Sequence, residues 1–220
     1  MERFGNLKNK FIWLWRKGLD YLFPKECFGC QEEGEYLCSA CFNKIEFIDF
    51  NQCFLCGGAG QDWFCQIWRE KKDIDKIWVA TRYSGNPAGR MVENFKYNYV
   101  EDLSKSLVEI ISQQIVNKEL TNLFVGQILA PVPLHRNRFL ERGFNQALEI
   151  AKGIASKYNC HVMSDLLIRT KDTRQQAKLK REERFININE AFTCASRLKI
   201  PTQVILVDDV LTTGATFCEA

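Results

Sequence analysis

The sequence has no apolar stretch near the roughly 18 residues that a membrane-spanning helix needs. Its longest apolar run near the start is Phe11-Ile12-Trp13-Leu14-Trp15, closed in by Lys10 and Arg16. That run falls short of the roughly 7 residues of a secretory leader's apolar region, and no small-residue cleavage site follows it. A cytoplasmic protein without a transmembrane segment is therefore expected. Charge of one sign is also scarce. The formal net charge is +3 over 220 residues, too small for global charge to argue for nucleic acid. Proline is limited to five residues, and histidine to His135 and His161. There is no low-complexity tract, and no internal repeat apart from recurring Cys-x2-Cys pairs.

Cysteine, by contrast, is abundant: ten in all, with seven of them between Cys27 and Cys65. In a reducing cytosol such a cluster reads as metal ligands rather than disulfides. Cys27-x2-Cys30 and Cys38-x2-Cys41 are two knuckle pairs, and two knuckles complete a tetrahedral Zn2+ site. Structural thiols or a redox pair are the other reading. Cys53-x2-Cys56 starts a second such arrangement with Cys65 as its third member, but Trp68 stands where a fourth cysteine would fall. Cys160, Cys194 and Cys218 are isolated, and isolated cysteines read as small buried hydrophobes.

Three regions follow from these patterns. Residues 1–24 carry Phe4, Leu7, Phe11, Trp15 and Leu22 at helical spacing, with basic residues between them. This amphipathic helix either packs on the rest of the chain or lies at a membrane surface. Residues 25–68 form the cysteine-rich module, too small to fold without a metal. Residues 76–220 alternate strands and helices. Ile77 to Tyr83 reads as a strand. One helix follows through Ala88, Met91, Val92, Phe95 and Tyr99, and another through Leu103 to Ile115. Gln127 to Val132 reads as a buried strand, and Phe144 to Tyr158 as the clearest helix. Val162 to Ile168 is a weaker apolar piece. Val204 to Val207 reads as a central strand buried on both faces. This order predicts an α/β domain with a doubly wound, mostly parallel sheet.

The chemistry concentrates in Val204 to Thr216, VILVDDVLTTGAT. Asp208 and Asp209 stand at the carboxyl end of a strand, where open α/β sheets bind ligands. Adjacent carboxylates there suit ribose hydroxyls and Mg2+, which prefers oxygen ligands. Thr212, Thr213, Gly214, Ala215 and Thr216 combine hydroxyls, backbone N–H groups and a glycine free to take positive φ at a helix start, a nest for a phosphate. The loop lacks the Gly-Lys-Ser/Thr of a Walker A motif and is not Gly-x-Gly-x-x-Gly. Arg136, Arg138 and Arg142 follow the strand that ends near Pro131 and suit bidentate phosphate contacts, or else form a solvated basic loop. Residues 169–184 carry seven basic and three acidic side chains. That strip fits a mobile lid over a polyphosphate, a single-stranded DNA contact, or a plain solvated helix.

The loop resembles the phosphoribosyl pyrophosphate (PRPP) motif of type I phosphoribosyltransferases over all thirteen positions. That resemblance implies Asp208 and Asp209 on ribose and Mg2+, and Thr212 to Thr216 on the 5′-phosphate. PVPLHRNRFLERGFNQA, with the later pattern of Arg169, Thr173, Gln176, Leu179 or Lys180, Arg184, Asn187 and Ala191-Phe192, resembles the ComF family. The family pairs a cysteine zinc module with a phosphoribosyltransferase-like domain. The resemblance implies PRPP as ligand, a role in natural competence and the handling of incoming single-stranded DNA, a DNA-uptake helicase as partner, and phosphoribosyl transfer to an acceptor the sequence does not identify. It also implies Arg136, Arg138, Arg142, Arg169 and Arg184 as pyrophosphate or lid residues. The family continues past the position of Ala220 with a full helix and at least one strand, so a shortened C-terminal edge is expected. Two other functions stay open: a metabolic phosphoribosyltransferase for base salvage or an amidophosphoribosyltransferase-like reaction, and a zinc-ribbon nucleic-acid adaptor with a vestigial PRPP site.

Overall fold

The computed structural model describes residues 24–48, 74, 76–97, 101–173, 180–195 and 201–220. The expected N-terminal helix up to residue 23 lies outside them, as do Cys53, Cys56, Cys65, Tyr99 and residues 174–179 of the basic strip. The described elements are α1 (Ser39–Phe42), α2 (Pro87–Tyr97), α3 (Glu101–Asn117), α4 (Thr121–Phe124), β1 (Ile128–Pro131), α5 (Arg136–Arg142), α6 (Gln146–Tyr158), β2 (His161–Val162), β3 (Leu167–Arg169), α7 (Arg181–Ile188), β4 (Phe192–Cys194), β5 (Ile205–Val207) and α8 (Ala215–Glu219).

Helical periodicity in the sequence becomes burial in the fold. Ala88, Met91, Val92 and Phe95 of α2 face the core, as do Leu103, Leu107, Ile110 and Ile115 of α3. Ala147, Ile150, Ala151, Ile154 and Tyr158 do the same for α6. Spacings of three and four residues recur in each set, the stripe an amphipathic helix must bury. The Asn145 side chain accepts the Ala147 N–H at 3.0 Å and starts α6, and Asn159 in the left-handed region (φ 54°) stops it. Gly153 lets α6 close on α3, since a Cβ there would stand 2.5 Å from Val108 Cγ2.

β1 holds the centre of a three-stranded parallel sheet, flanked by β2 and β5. The register pairs Leu129 with Ile205, Ala130 with Leu206 and Pro131 with Val207. The two strands therefore end level, and the segments after them open on the same side. β3 and β4 make a separate antiparallel pair. The loops and helices around that pair build a small apolar cluster of Val132, Ile188, Ala191, Phe192 and Ala215. The mixed α/β class with a parallel sheet is thus as expected.

Two strand expectations change. Among the described residues Ile77 to Tyr83 forms no strand. Thr81 makes one bridge to Phe47, and Ile48 N–H bonds Ala80 O at 3.2 Å, which is too little pairing for a ladder. β5 is not buried on both faces: Val207 is buried, while Ile205 and Leu206 are half-buried. Among the described strands β1 takes the centre and β5 an end.

The cysteine module shares the main core. Cys27, Leu37, Cys41 and Ile45 belong to one buried cluster with the apolar faces of α2, α3 and α6 and with Leu129 of β1. Pro87, the first residue of α2, lies against the first knuckle: a Cβ on Gly29 would meet Pro87 Cγ at 3.3 Å. No described helix is long and apolar enough to cross a membrane.

Candidate functional site

The structure places the four thiols of Cys27, Cys30, Cys38 and Cys41 within 4.8 Å of one another. Cys30 Sγ and Cys38 Sγ are 3.7 Å apart, close to the ~3.8 Å edge of a tetrahedron with Zn–S bonds of about 2.3 Å. Backbone N–H groups orient the sulfurs. Gly29 and Cys38 each donate to Cys27 Sγ at 3.3 Å, and Cys41 N–H donates to Cys38 Sγ at 3.4 Å. Burial pushes the Cys27 thiol up, but the N–H groups of Cys38, Cys30 and Gly29 outweigh it and bring it down to about 6. Cys41 is pushed up to about 12, first by the neighbouring Cys38 thiol and then by burial. A dication among the four would reverse that mutual repulsion. The glycine between the first pair is required sterically, because a Cβ on Gly29 would overlap Cys41 Sγ. Four soft ligands in a closed tetrahedral set fit a structural Zn2+. Of the isolated cysteines, Cys194 is exposed, and Cys160 and Cys218 are half-buried. The expectation of burial is met only in part at Cys160 and Cys218 and fails at Cys194, because the β3–β4 pair covers only the Phe192 end of β4.

The second site begins where β5 ends. Asp209 N–H donates to Asp208 Oδ1 at 2.8 Å. Burial, and next the charge of Asp209, push the Asp208 carboxyl well above the usual carboxylate range. Lys96, in the last turn of α2, brings its Nζ to 3.2 Å from Asp209 Oδ2. That oxygen is fully shielded from solvent, and no donor is aligned with it as a hydrogen bond. The ammonium therefore acts on it as a nearby charge. Beyond Asp209 the chain turns at Gly214 (φ 71°), which caps α8 without a side-chain contact. Thr213, Gly214 and Ala215 are buried and Thr212 is exposed.

The arginines sit on helix α5 rather than in a loop, because the His135 side chain accepts the Asn137 N–H and starts a helix that Gly143 ends. Arg138 donates to Thr173 O at 2.9 Å, and Arg142 to Gln146 Oε1 at 3.0 Å. Arg169, at the end of β3, donates to Thr173 Oγ1 and lies over the Phe192 ring at 5.3 Å. Burial lowers the Arg169 pKa, Arg138 lowers it further, and Asp208 opposes them. Arg138, Arg169 and Asp208 thus share one electrostatic neighbourhood, with Arg142 also acting on Arg169. Arg169 Nε is buried without an acceptor. Arg136 is exposed on α5, and Arg184 lies half-buried on α7.

The donor chemistry around Asp208 and Asp209 fits a hard cation with an anionic ligand: carboxylate oxygens, one of them a shielded acceptor without a hydrogen bond, and a buried guanidinium donor in the same state. Sequence reasoning missed Lys96, because nothing in its local pattern points to a carboxylate so far along the chain. Gln146 fell within the quoted motif, but its contacts are visible only in the fold. A shallow cleft of about 390 Å3 opens nearby, lined by Tyr83, Ser84, Asn86, Arg90 and Glu93 among others, and no residue of 208–216 lines it.

A mixed α/β domain with a parallel sheet, preceded by a zinc-ribbon cysteine cluster, is the class these features define, and it is consistent with a phosphoribosyltransferase-like fold. Comparison with known proteins agrees. The family described as "Double zinc ribbon domain" matches residues 18–66. The chain is 28% identical over 190 residues to Competence protein F of Haemophilus influenzae, covering 83% of this chain and 81% of that protein. It is 28% identical over 189 residues to DNA utilization protein YhgH of Escherichia coli, again 83% and 81%. It is 27% identical over 191 residues to Competence protein ComFC of Bacillus subtilis, 83% and 75%. The chain is a homologue of these competence and DNA utilization proteins, and the resemblance read from the sequence is borne out.

Proposed function

We propose that this protein binds Mg-PRPP at Val204 to Thr216 and acts in the cytoplasm on incoming single-stranded DNA during natural competence, beside a DNA-uptake helicase. Its organisation is a helix over 1–24, a ribbon over 25–68 and a phosphoribosyltransferase-like domain over 76–220. The names of the relatives, which speak of competence and DNA utilization, support the cellular role. The observation that carries the binding reading is the pair Asp208–Asp209 at the end of β5, with Asp208 within electrostatic reach of Arg169 and the Gly214 turn following.

In this reading Asp208 and Asp209 hold the ribose hydroxyls and Mg2+, and Thr212 to Thr216 hold the 5′-phosphate. Mg2+, when bound, supplies charge neutralisation at the pyrophosphate. Arg138, Arg142 and Arg169 orient the same leaving group, with Arg136 and Arg184 at its approaches. If transfer occurs, the C1–pyrophosphate bond breaks as a nitrogen nucleophile attacks C1. The protein contributes positioning and preorganised charge. Isothermal calorimetry with Mg-PRPP tests the reading: saturable binding that Asp208→Asn abolishes is expected, and absence of binding by the full chain overturns it. Pyrophosphate release across a panel of bases separates binding from turnover, and robust turnover on one base would favour a salvage enzyme.

A further inference from the structure

Lys96 is the cation nearest Asp209 among the contacts described, and the fold fixes it from behind. Phe95, the residue before it, is completely buried. The carboxamide of Gln146, itself buried, donates to the carbonyls of Phe95 at 3.5 Å and of Lys96 at 3.4 Å. These are last-turn carbonyls of α2, which the helix leaves without partners of its own. Arg142 in turn holds the Gln146 oxygen at 3.0 Å. A chain of contacts thus runs from a candidate pyrophosphate arginine, through Gln146, to the backbone of Lys96. The side chain of Lys96 then reaches the diacid. There it meets Asp209 Oδ2 at 3.2 Å, the oxygen that lacks an aligned donor. The pair is a charge contact in a half-shielded setting, with 22% and 14% of the two side chains exposed. A divalent ion taking that oxygen would be repelled by the ammonium at short range, so the two compete for one place.

We propose that Lys96 is a positioning residue that serves as the resident counter-cation of Asp209, holding the diacid while the site is empty and yielding Oδ2 to the divalent ion when metal-PRPP enters. Its ammonium then turns to a phosphate oxygen, a contact lysine makes as a mobile point charge. This rests on the PRPP reading above, but its first test needs only a metal ion.

The test uses Mn2+ as the probe, with free Mn2+ followed by electron paramagnetic resonance on the full chain. Lys96→Met should bind Mn2+ alone roughly thirtyfold more tightly, the order expected for removing one positive charge about 4 Å from a dication in water-like screening. The same variant should bind PRPP, in saturating Mn2+, more weakly than the parent. Lys96→Arg should restore both values towards the parent's. Opposite shifts in the two affinities are the signature, because a variant that merely misfolds weakens both. Unchanged or weaker Mn2+ binding in Lys96→Met overturns the inference, even where the parent binds PRPP well. Failure of the parent to bind PRPP overturns the functional reading instead, while the Mn2+ comparison still decides whether Lys96 guards the carboxylate.

Discussion

At Asp208 two influences push the same way: burial, and the neighbouring charge of Asp209. Both disfavour the charged form of Asp208, and a neutral isostere escapes that cost. Asp208→Asn should therefore raise stability by about 1 kcal/mol, a Tm gain of roughly 2–4 °C, while abolishing PRPP binding. Calorimetric melting alongside ligand titration checks both halves, and a fall in Tm would show that the carboxylate is structural. Tyr83 gives a pH signature of its own. Burial first, then the hydrogen bond to Glu93 and the nearby Asp209 charge, raise its phenol to about 12. The unfolded phenol ionises near 10, so the folded state holds more protons between about 10 and 12. Stability from this group is intact below about pH 10 and falls as pH rises from there towards 12. Tyr83→Phe should flatten that alkaline slope, as followed by chemical denaturation at stepped pH.

The helices were legible in the sequence because burial on one face imposes a period the eye can count, as at Ala147, Ile150, Ala151 and Ile154 in α6. The knuckles were legible because two local pairs must converge on one ion. The strand expected at Ile77 to Tyr83 was not reliable, since an apolar run has no signature for whether a partner strand exists, and among the described residues its pairing is a single bridge at Phe47. Sheet order was equally silent: four aliphatic residues before Asp208 suggest a central strand, while pairing gives that place to β1. The Lys96–Asp209 pair and the Arg169–Phe192 stack depend on which elements meet, and no local pattern encodes them. Element packing carries its own prediction. Gly153→Ala puts a methyl 2.5 Å from Val108 Cγ2, an overpacking cost of about 1–3 kcal/mol that the better helix propensity of alanine offsets by at most about 1. A lowered urea midpoint is expected, and Val108→Ala in the same chain should recover part of it.

On the scale of the whole molecule, the cysteine centre and the α/β domain have one core between them. Zinc removal should therefore melt both together. Chelation should lower the thermal midpoint in a single cooperative step, and free-energy losses of several kcal/mol are in keeping with structural zinc sites. Two separate melting steps would show that the ribbon folds independently. Metal analysis before chelation should give one zinc per chain, and two would mean that Cys53, Cys56 and Cys65 hold metal as well.

Helix α2 lies between the two chemistries. Its first residue rests against the Cys27–Cys30 knuckle, and Lys96 near its other end faces Asp209. The distance is about 14 Å at 1.5 Å per residue, short enough for a rigid rod to transmit a displacement. The knuckle and the Lys96–Asp209 contact are thus joined by a single helix. Loosening the knuckle would on this geometry loosen the far end of the same helix, so the cysteine centre is a support for the Lys96–Asp209 contact as well as for its own loop.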